Sequence, residues 1–344
     1  MVHLRVVAPA ESADQAVELL QASPSVASVI VLRGAARKPE GDVILCDVAR
    51  EDASVIIEDL KELGIHETGS ISVEQIDTQI SEIGEAAERH AAGLPSDAVI
   101  WEDVEARSEE MTELSLTFVA YMVLAMLIAA VGILLDQPIL IVGAMVVGPE
   151  FGPLAGLCVA LVEKRPPLVR RSLAALAAGF PIGIVITLLV TLAFDGADLV
   201  PDEFDPKSHP LTSFIASPDF FSFFVAYIAG TAGILALTSA KSGALIGVLI
   251  SVTTIPAAAN IAVGSALGEW REAIGAAAQL GLNLTAIVLA GVVTLYLQRR
   301  DYLSRRQRHL RDPIRGAAGL PIGRSRMARR ARRAAPPSRR RAEP

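Results

Sequence analysis

Apolar positions recur at short periods between residues 2 and 76, then fuse into runs of membrane length between residues 114 and 297. In the first stretch, residues 3–7 alternate as a strand does, and residues 12–20 carry helical spacing. A β-branched run over 26–32 predicts a second strand, and Lys38-Pro39-Glu40-Gly41-Asp42 a turn. A strand over 43–48 follows, then a helix over 53–63 with Val55, Ile56, Ile57 and Leu60 on one side and Gly64 as its stop. A strand over 70–76 closes a βαββαβ order, which predicts a small ferredoxin-like α+β domain spanning residues 1–77. Such a domain serves as a regulator or an assembly surface, and its fold alone names no ligand.

Residues 78–113 read as an acidic helical linker, two polar helices over 78–92 and 97–110 separated by Gly93-Leu94-Pro95-Ser96. Trp101, close to the first long apolar run, is expected as an interfacial anchor. The membrane part, residues 114–297, predicts six spans at about 114–135, 138–162, 168–194, 220–239, 243–267 and 273–297, each near the roughly 20 residues a bilayer requires. Lys164, Arg165, Arg170 and Arg171 join the second and third spans, Lys241 the fourth and fifth, and an arginine-rich tail follows the sixth. The positive-inside rule puts all three, and with them both termini, on the cytoplasmic side.

Composition agrees with a polytopic membrane protein: 52% of 344 residues are hydrophobic and mean hydropathy is +0.46. The net charge of −7 hides a strong asymmetry, about −16 over residues 1–113, about −4 over 114–297 and about +13 over 298–344. The start Met1-Val2-His3-Leu4-Arg5 lacks the pattern of a signal peptide, so the first span is expected to begin translocation itself. Residues 298–344 hold little apolar material and are expected to be a disordered cytoplasmic tail attracted to anionic lipid, at about 1 kcal/mol per basic residue, or to the acidic head. Without aromatic interleaving or a reader module, that tail does not point to nucleic acid. Cys46 and Cys158 fall in different regions, and all five histidines lie outside the spans. No disulfide, metal site, cofactor or catalytic constellation is therefore expected, and the chain does not read as an enzyme.

The second span is unlike the others. It contains Gly148-Pro149-Glu150-Phe151-Gly152-Pro153, a carboxylate and two prolines within an otherwise apolar run. Proline withholds a backbone donor, and lipid cannot replace it, so a break buried among other helices is predicted. Gly148, Gly152 and Gly156 share one helical face and suit close packing, or else line an unwound stretch. Glu150 could bind a proton or, ionised, a cation; it could equally cap a broken half-helix. The fifth span offers Thr253, Thr254, Pro256 and Asn260, and the sixth Asn283, as polar groups that could face the break. Together these residues form the candidate pathway for a small solute or ion, in a transporter or channel-like protein. The competing reading is a membrane scaffold or sensor whose spans only anchor its ends, and either could be a homo-oligomer.

An internal echo accompanies the break. Phe118-Val119-Ala120-Tyr121 in the first span recurs as Phe224-Val225-Ala226-Tyr227 in the fourth, and Gly143 with Pro153 is echoed by Gly247 with Pro256. Three spans per unit would make the repeat inverted, 3+3. The run Gly132-Ile133-Leu134-Leu135-Asp136 through Gly143-Ala144-Met145-Val146-Val147-Gly148-Pro149 to Gly152-Pro153 resembles the signature of the DUF389 family of bacterial hydrophobic-domain membrane proteins. Gly247, Pro256, Gly268-Glu269-Trp270 and Asn283 fall where that family carries its later positions, so the resemblance covers residues 115–290. It departs at Glu150-Phe151, where the family is apolar, and at Ile255-Pro256, where it has two prolines. The resemblance implies a bacterial inner-membrane protein and carries no activity.

Overall fold

The computed structural model describes residues 1–76, 78–91, 93–94, 98–201, 213–239, 254–323 and 325. They divide into two compact units, Met1–Glu102 with Arg299–Pro344, and Asp103–Gln298.

The first unit is built on β1 (Val2–Ala8), α1 (Ala10–Ala22), β2 (Val26–Arg37), β3 (Glu40–Val48), α2 (Arg50–Glu62), the short α3 (Ile65–Thr68) and β4 (Ser70–Gln75). The strands form one antiparallel sheet in the order β2-β3-β1-β4. Alternation explains the sheet: Val2, Leu4, Val6 and Ala8 of β1 and Ile44, Cys46 and Val48 of β3 point to one face and are fully buried. Against them lie Ala13, Ala16, Leu19 and Leu20 of α1 and Ala53, Ile56, Ile57 and Leu60 of α2. Gly64 ends α2 with φ +82°, a conformation that favours glycine. The acidic linker condenses into α4 (Glu82–His90), whose Ser81 cap accepts from Gly84 N at 3.1 Å, and α5 (Trp101–Met111). Trp101 is no interfacial anchor: it is buried, with its ring centroid 6.0 Å from that of Tyr302 and Arg299 stacked 5.1 Å over it.

Among the described residues of the second unit, α6 (Leu116–Leu134), α7 (Pro138–Val147), α8 (Phe151–Glu163), α9 (Pro166–Gly196), α10 (Phe220–Thr238) and α11 (Ile255–Ala266) precede the longest helix. The long α12 (Trp270–His309) belongs to this unit through Gln298 and to the first from Arg299 onward. Among the described residues, α6, α9, α10 and α12 are long and apolar enough to cross a membrane. The pair α7 and α8, bent by 52° at a short break, makes a fifth candidate. The expected span over 243–267 is described only from residue 254, as the 12-residue α11, so the described residues hold four to five candidate spans beside this partly described one. Proline at the first turn of α7, α9 and α11 sets their starts, where its missing N–H costs nothing. The core joins Met122, Ala125, Met126 and Ala129 of α6 to Ala257, Ala258 and Ala259 of α11, small residues that let backbones approach closely.

The expected tail also differs. The chain from residue 298 was expected to be disordered, but α12 runs to His309 and α13 (Ile314–Ala317) follows, both within the first unit. Partner carboxylates on α2 supply the reason, as described below.

Candidate functional site

The break between α7 and α8 is made by three residues. Gly148 ends α7 in an extended conformation, Pro149 offers no amide, and Glu150 caps α8. Glu150 is fully buried, and its Oε1 accepts a hydrogen bond from Thr254 Oγ1 at 2.6 Å. Thr254 is itself the cap of α11, with Pro256 in the first turn, so two helices begin at one carboxylate. Each helix start carries roughly half a positive charge, which favours an anion there. Glu150 Oε2 is buried and has no hydrogen-bond partner among the described residues. A Cβ at Gly148 would collide with that oxygen and approach Ile255 Cγ1 to 2.7 Å, so the carboxylate folds back over the end of α7 because position 148 carries no side chain.

The structure brings part of the predicted set together. Gly148, Pro149, Glu150 and Thr254 come together, with Pro256 buried in the first turn behind Thr254. Gly152 and Gly156 do something else. Added Cβ atoms would strike Met111 O at 2.5 Å and Thr112 Oγ1 respectively, so this glycine face admits the end of α5 and is a packing surface; Pro153 is buried beside it. Thr253 lies outside the described residues. Asn260 and Asn283 join other partners: Asn260 Nδ2 donates to Glu272 Oε2 at 3.5 Å, and Asn283 Oδ1 accepts from Gln279 Nε2 at 3.2 Å. Gln279 is a buried amide that the hydrophobic pattern passed over, although its spacing of four from Asn283 places both on one helix face. Among the described residues no three His, Cys, Asp or Glu side chains gather to hold a metal ion, and both cysteines are free and buried.

A second buried charge cluster lies in the first unit. Asp59 and Glu62 of α2 have no exposed side-chain surface. Arg306 donates to Asp59 at 2.5 Å and to Glu62 at 3.1 Å, and Arg315 pairs with Asp59 and, at 2.8 Å, with Glu62. His309 Nε2 lies 2.8 Å from Asp59 Oδ2. That contact alone would favour the imidazolium, but burial first and the Arg306 guanidinium second lower the His309 pKa below its usual 6.5. A neutral ring donating from Nε2 to Asp59 satisfies both facts. Two arginines already balance two carboxylates, so a further proton would leave a buried excess charge.

Residues 145–289 match a family model described as Domain of unknown function (DUF389). An uncharacterised protein of Methanocaldococcus jannaschii is 24% identical over 196 residues, covering 57% of this chain and 58% of its own length. The chain thus spans less than two thirds of that relative. No solved structure matches. These findings bear out the resemblance read from the sequence: residues 145–289, which carry Glu150, Thr254 and Asn283, are similar to the DUF389 domain.

Proposed function

We propose that this chain carries a small solute or ion across the bacterial inner membrane, past the junction of its broken helices, with the N-terminal unit as a cytoplasmic regulator or oligomerisation surface. One observation carries the reading: a fully buried carboxylate, hydrogen-bonded at 2.6 Å to Thr254, sits where two apolar helices begin. An acidic group in hydrocarbon costs about 2.5–3.5 kcal/mol on insertion scales, and broken helices meeting at such a group are how many transporters build their sites. An inverted repeat accounts for the meeting. Glu150 and Thr254 are 104 residues apart, the offset that also relates Gly143 to Gly247, and each is the cap residue of a helix with proline in its first turn. Six spans, both ends cytoplasmic, and residues 324–344 held near anionic lipid complete the arrangement. The strand order β2-β3-β1-β4 supports a ferredoxin-like head. The proposal assigns no catalytic step.

Proteoliposomes loaded with a pH-sensitive dye, under imposed proton and sodium gradients, test it. Wild-type protein is expected to pass flux above empty vesicles, and Glu150→Gln to lose it; equal flux in the two proteins would remove Glu150 from the pathway. A second reading, a sensor without transport, draws on the ion cluster that fixes residues 306–315 to α2. It predicts no flux from either protein.

A further inference from the structure

We infer that Glu150, Thr254 and the carbonyls ending α7 form a binding site for a single monovalent alkali cation. The inference rests on the reading of Glu150 and Thr254 as a ligand site and names its ligand class.

The charge balance comes first. An ionised carboxylate that is buried needs a counter-charge, and among the described residues Glu150 has no ion-pair partner and its Oε2 no hydrogen-bond partner. The two helix starts are weakened as substitutes because each has proline in its first turn, Pro153 in α8 and Pro256 in α11, which removes a donor from each. Glu150 Oε2 lies over Gly148 at the end of α7, the end of a helix where carbonyls lack intrahelical donors. Pro149 adds to this, because the Met145 carbonyl would look to position 149 for its donor and finds an imino acid. Thr254 Oγ1 can turn a lone pair inward while it donates to Oε1. Carboxylate, hydroxyl and helix-end carbonyls are the oxygen set by which discontinuous helices take a dehydrated alkali cation.

Valence follows from the count of charges. Calcium asks for six to eight oxygens with several carboxylates, and magnesium keeps much of its water. Among the described residues no three His, Cys, Asp or Glu side chains gather, so the cluster of carboxylates that calcium asks for is not found here, and the site supplies the carboxylate of Glu150. One negative charge matches one positive charge.

The test is the melting temperature of the detergent-purified full chain in NaCl or KCl, against choline chloride at equal total chloride. Wild-type protein should gain a saturable rise in melting temperature from Na+ or K+ and none from choline. Glu150→Gln should fold, melting in choline at or above wild type because it loses a buried charge, and should show no alkali response. Thr254→Ser should keep the response, while Thr254→Val should weaken the apparent affinity roughly tenfold through the lost hydroxyl. An equal response to choline and Na+, an undiminished Na+ response in Glu150→Gln, or stabilisation that follows pH and ignores the alkali ion would each overturn the site. Cation-dependent melting in a protein that passes no flux would support the site and defeat the transport reading. Flux through Glu150 with melting indifferent to cations would do the reverse.

Discussion

At Gly148 a side chain would have nowhere to go. Any Cβ there meets Glu150 Oε2 and Ile255, so the residue sets how close the carboxylate, the end of α7 and the start of α11 can come. Gly148→Ala is expected to lower the stability of the full chain by about 1–3 kcal/mol, the usual cost of overpacking a closed site. Part of that cost is the clash with Oε2, so Gly148→Ala should cost less in a Glu150→Ala background, while the Ile255 contact preserves the remainder. A double-mutant cycle of thermal unfolding in detergent measures the difference; strict additivity would show that the carboxylate does not lie over Gly148. Position 148 was legible as a break in the sequence because proline and glycine interrupt an apolar run. The partner Thr254 was legible only as one of several polar residues, since spacing along a chain does not say which hydroxyl reaches a carboxylate 104 residues away.

Among the elements, the N-terminal strands and helices were readable because each follows its own period: Val2, Leu4, Val6 and Ala8 alternate, and Ile56, Ile57 and Leu60 recur at helical spacing. The extension of α12 beyond the membrane was not. Arg305, Arg306, Arg308 and Arg311 read as solvated positive charge, and only Asp59 and Glu62, some 250 residues earlier, turn Arg306 and Arg315 into core residues. The same arrangement predicts a pH response at His309. Its pKa in the fold lies below 6.5, so between those two values the unfolded chain binds more protons than the folded one, and stability rises with pH. The contribution is fully present above about pH 6.5 and is lost as pH falls through the folded value. The charged groups around the ring are Asp59, Arg306, Asp312 and Asp52, and the two arginines of the cluster already neutralise Asp59 and Glu62. Trp101, stacked under Arg299 and beside Tyr302, reports on this unit. In a Trp270→Phe background, which leaves Trp101 as the remaining tryptophan of two, its fluorescence should show denaturant resistance declining from pH 7.5 to 5.5. His309→Gln, which can still donate to Asp59 without titrating, should flatten that decline. An unchanged slope would place the pH dependence on other groups.

For the molecule as a whole, charge and hydropathy make a demand that the count of described helices does not meet alone. Positive residues fall at 164–171, at Lys241 and after residue 298, and all three can face one side only if an even number of crossings separates each from the next; with α6 and the bent pair ahead of the first, the total must then be even. Four helices and one bent pair give an odd number, five. The sixth crossing has to come from the segment holding α11, whose 12 residues would rise about 18 Å, short of the roughly 30 Å hydrocarbon core. If α11 is the second half of a broken span, as α8 is of its own, residues preceding Thr254 supply the remaining length and the chain ends on the side where it began. Side-specific cysteine labelling separates the two cases. With Cys46 and Cys158 replaced by serine, single cysteines at Gln21 and Ser338 are expected to react with a membrane-impermeant maleimide from the same face of inside-out vesicles, and one at Asp198 from the other. Labelling of positions 21 and 338 from opposite faces would require an odd number of crossings, which the four helices and one bent pair supply as five. It would also break the inverted repeat, because two units of three spans cannot share five, and Thr254 would then meet Glu150 from a re-entrant segment, not from the counterpart of α8.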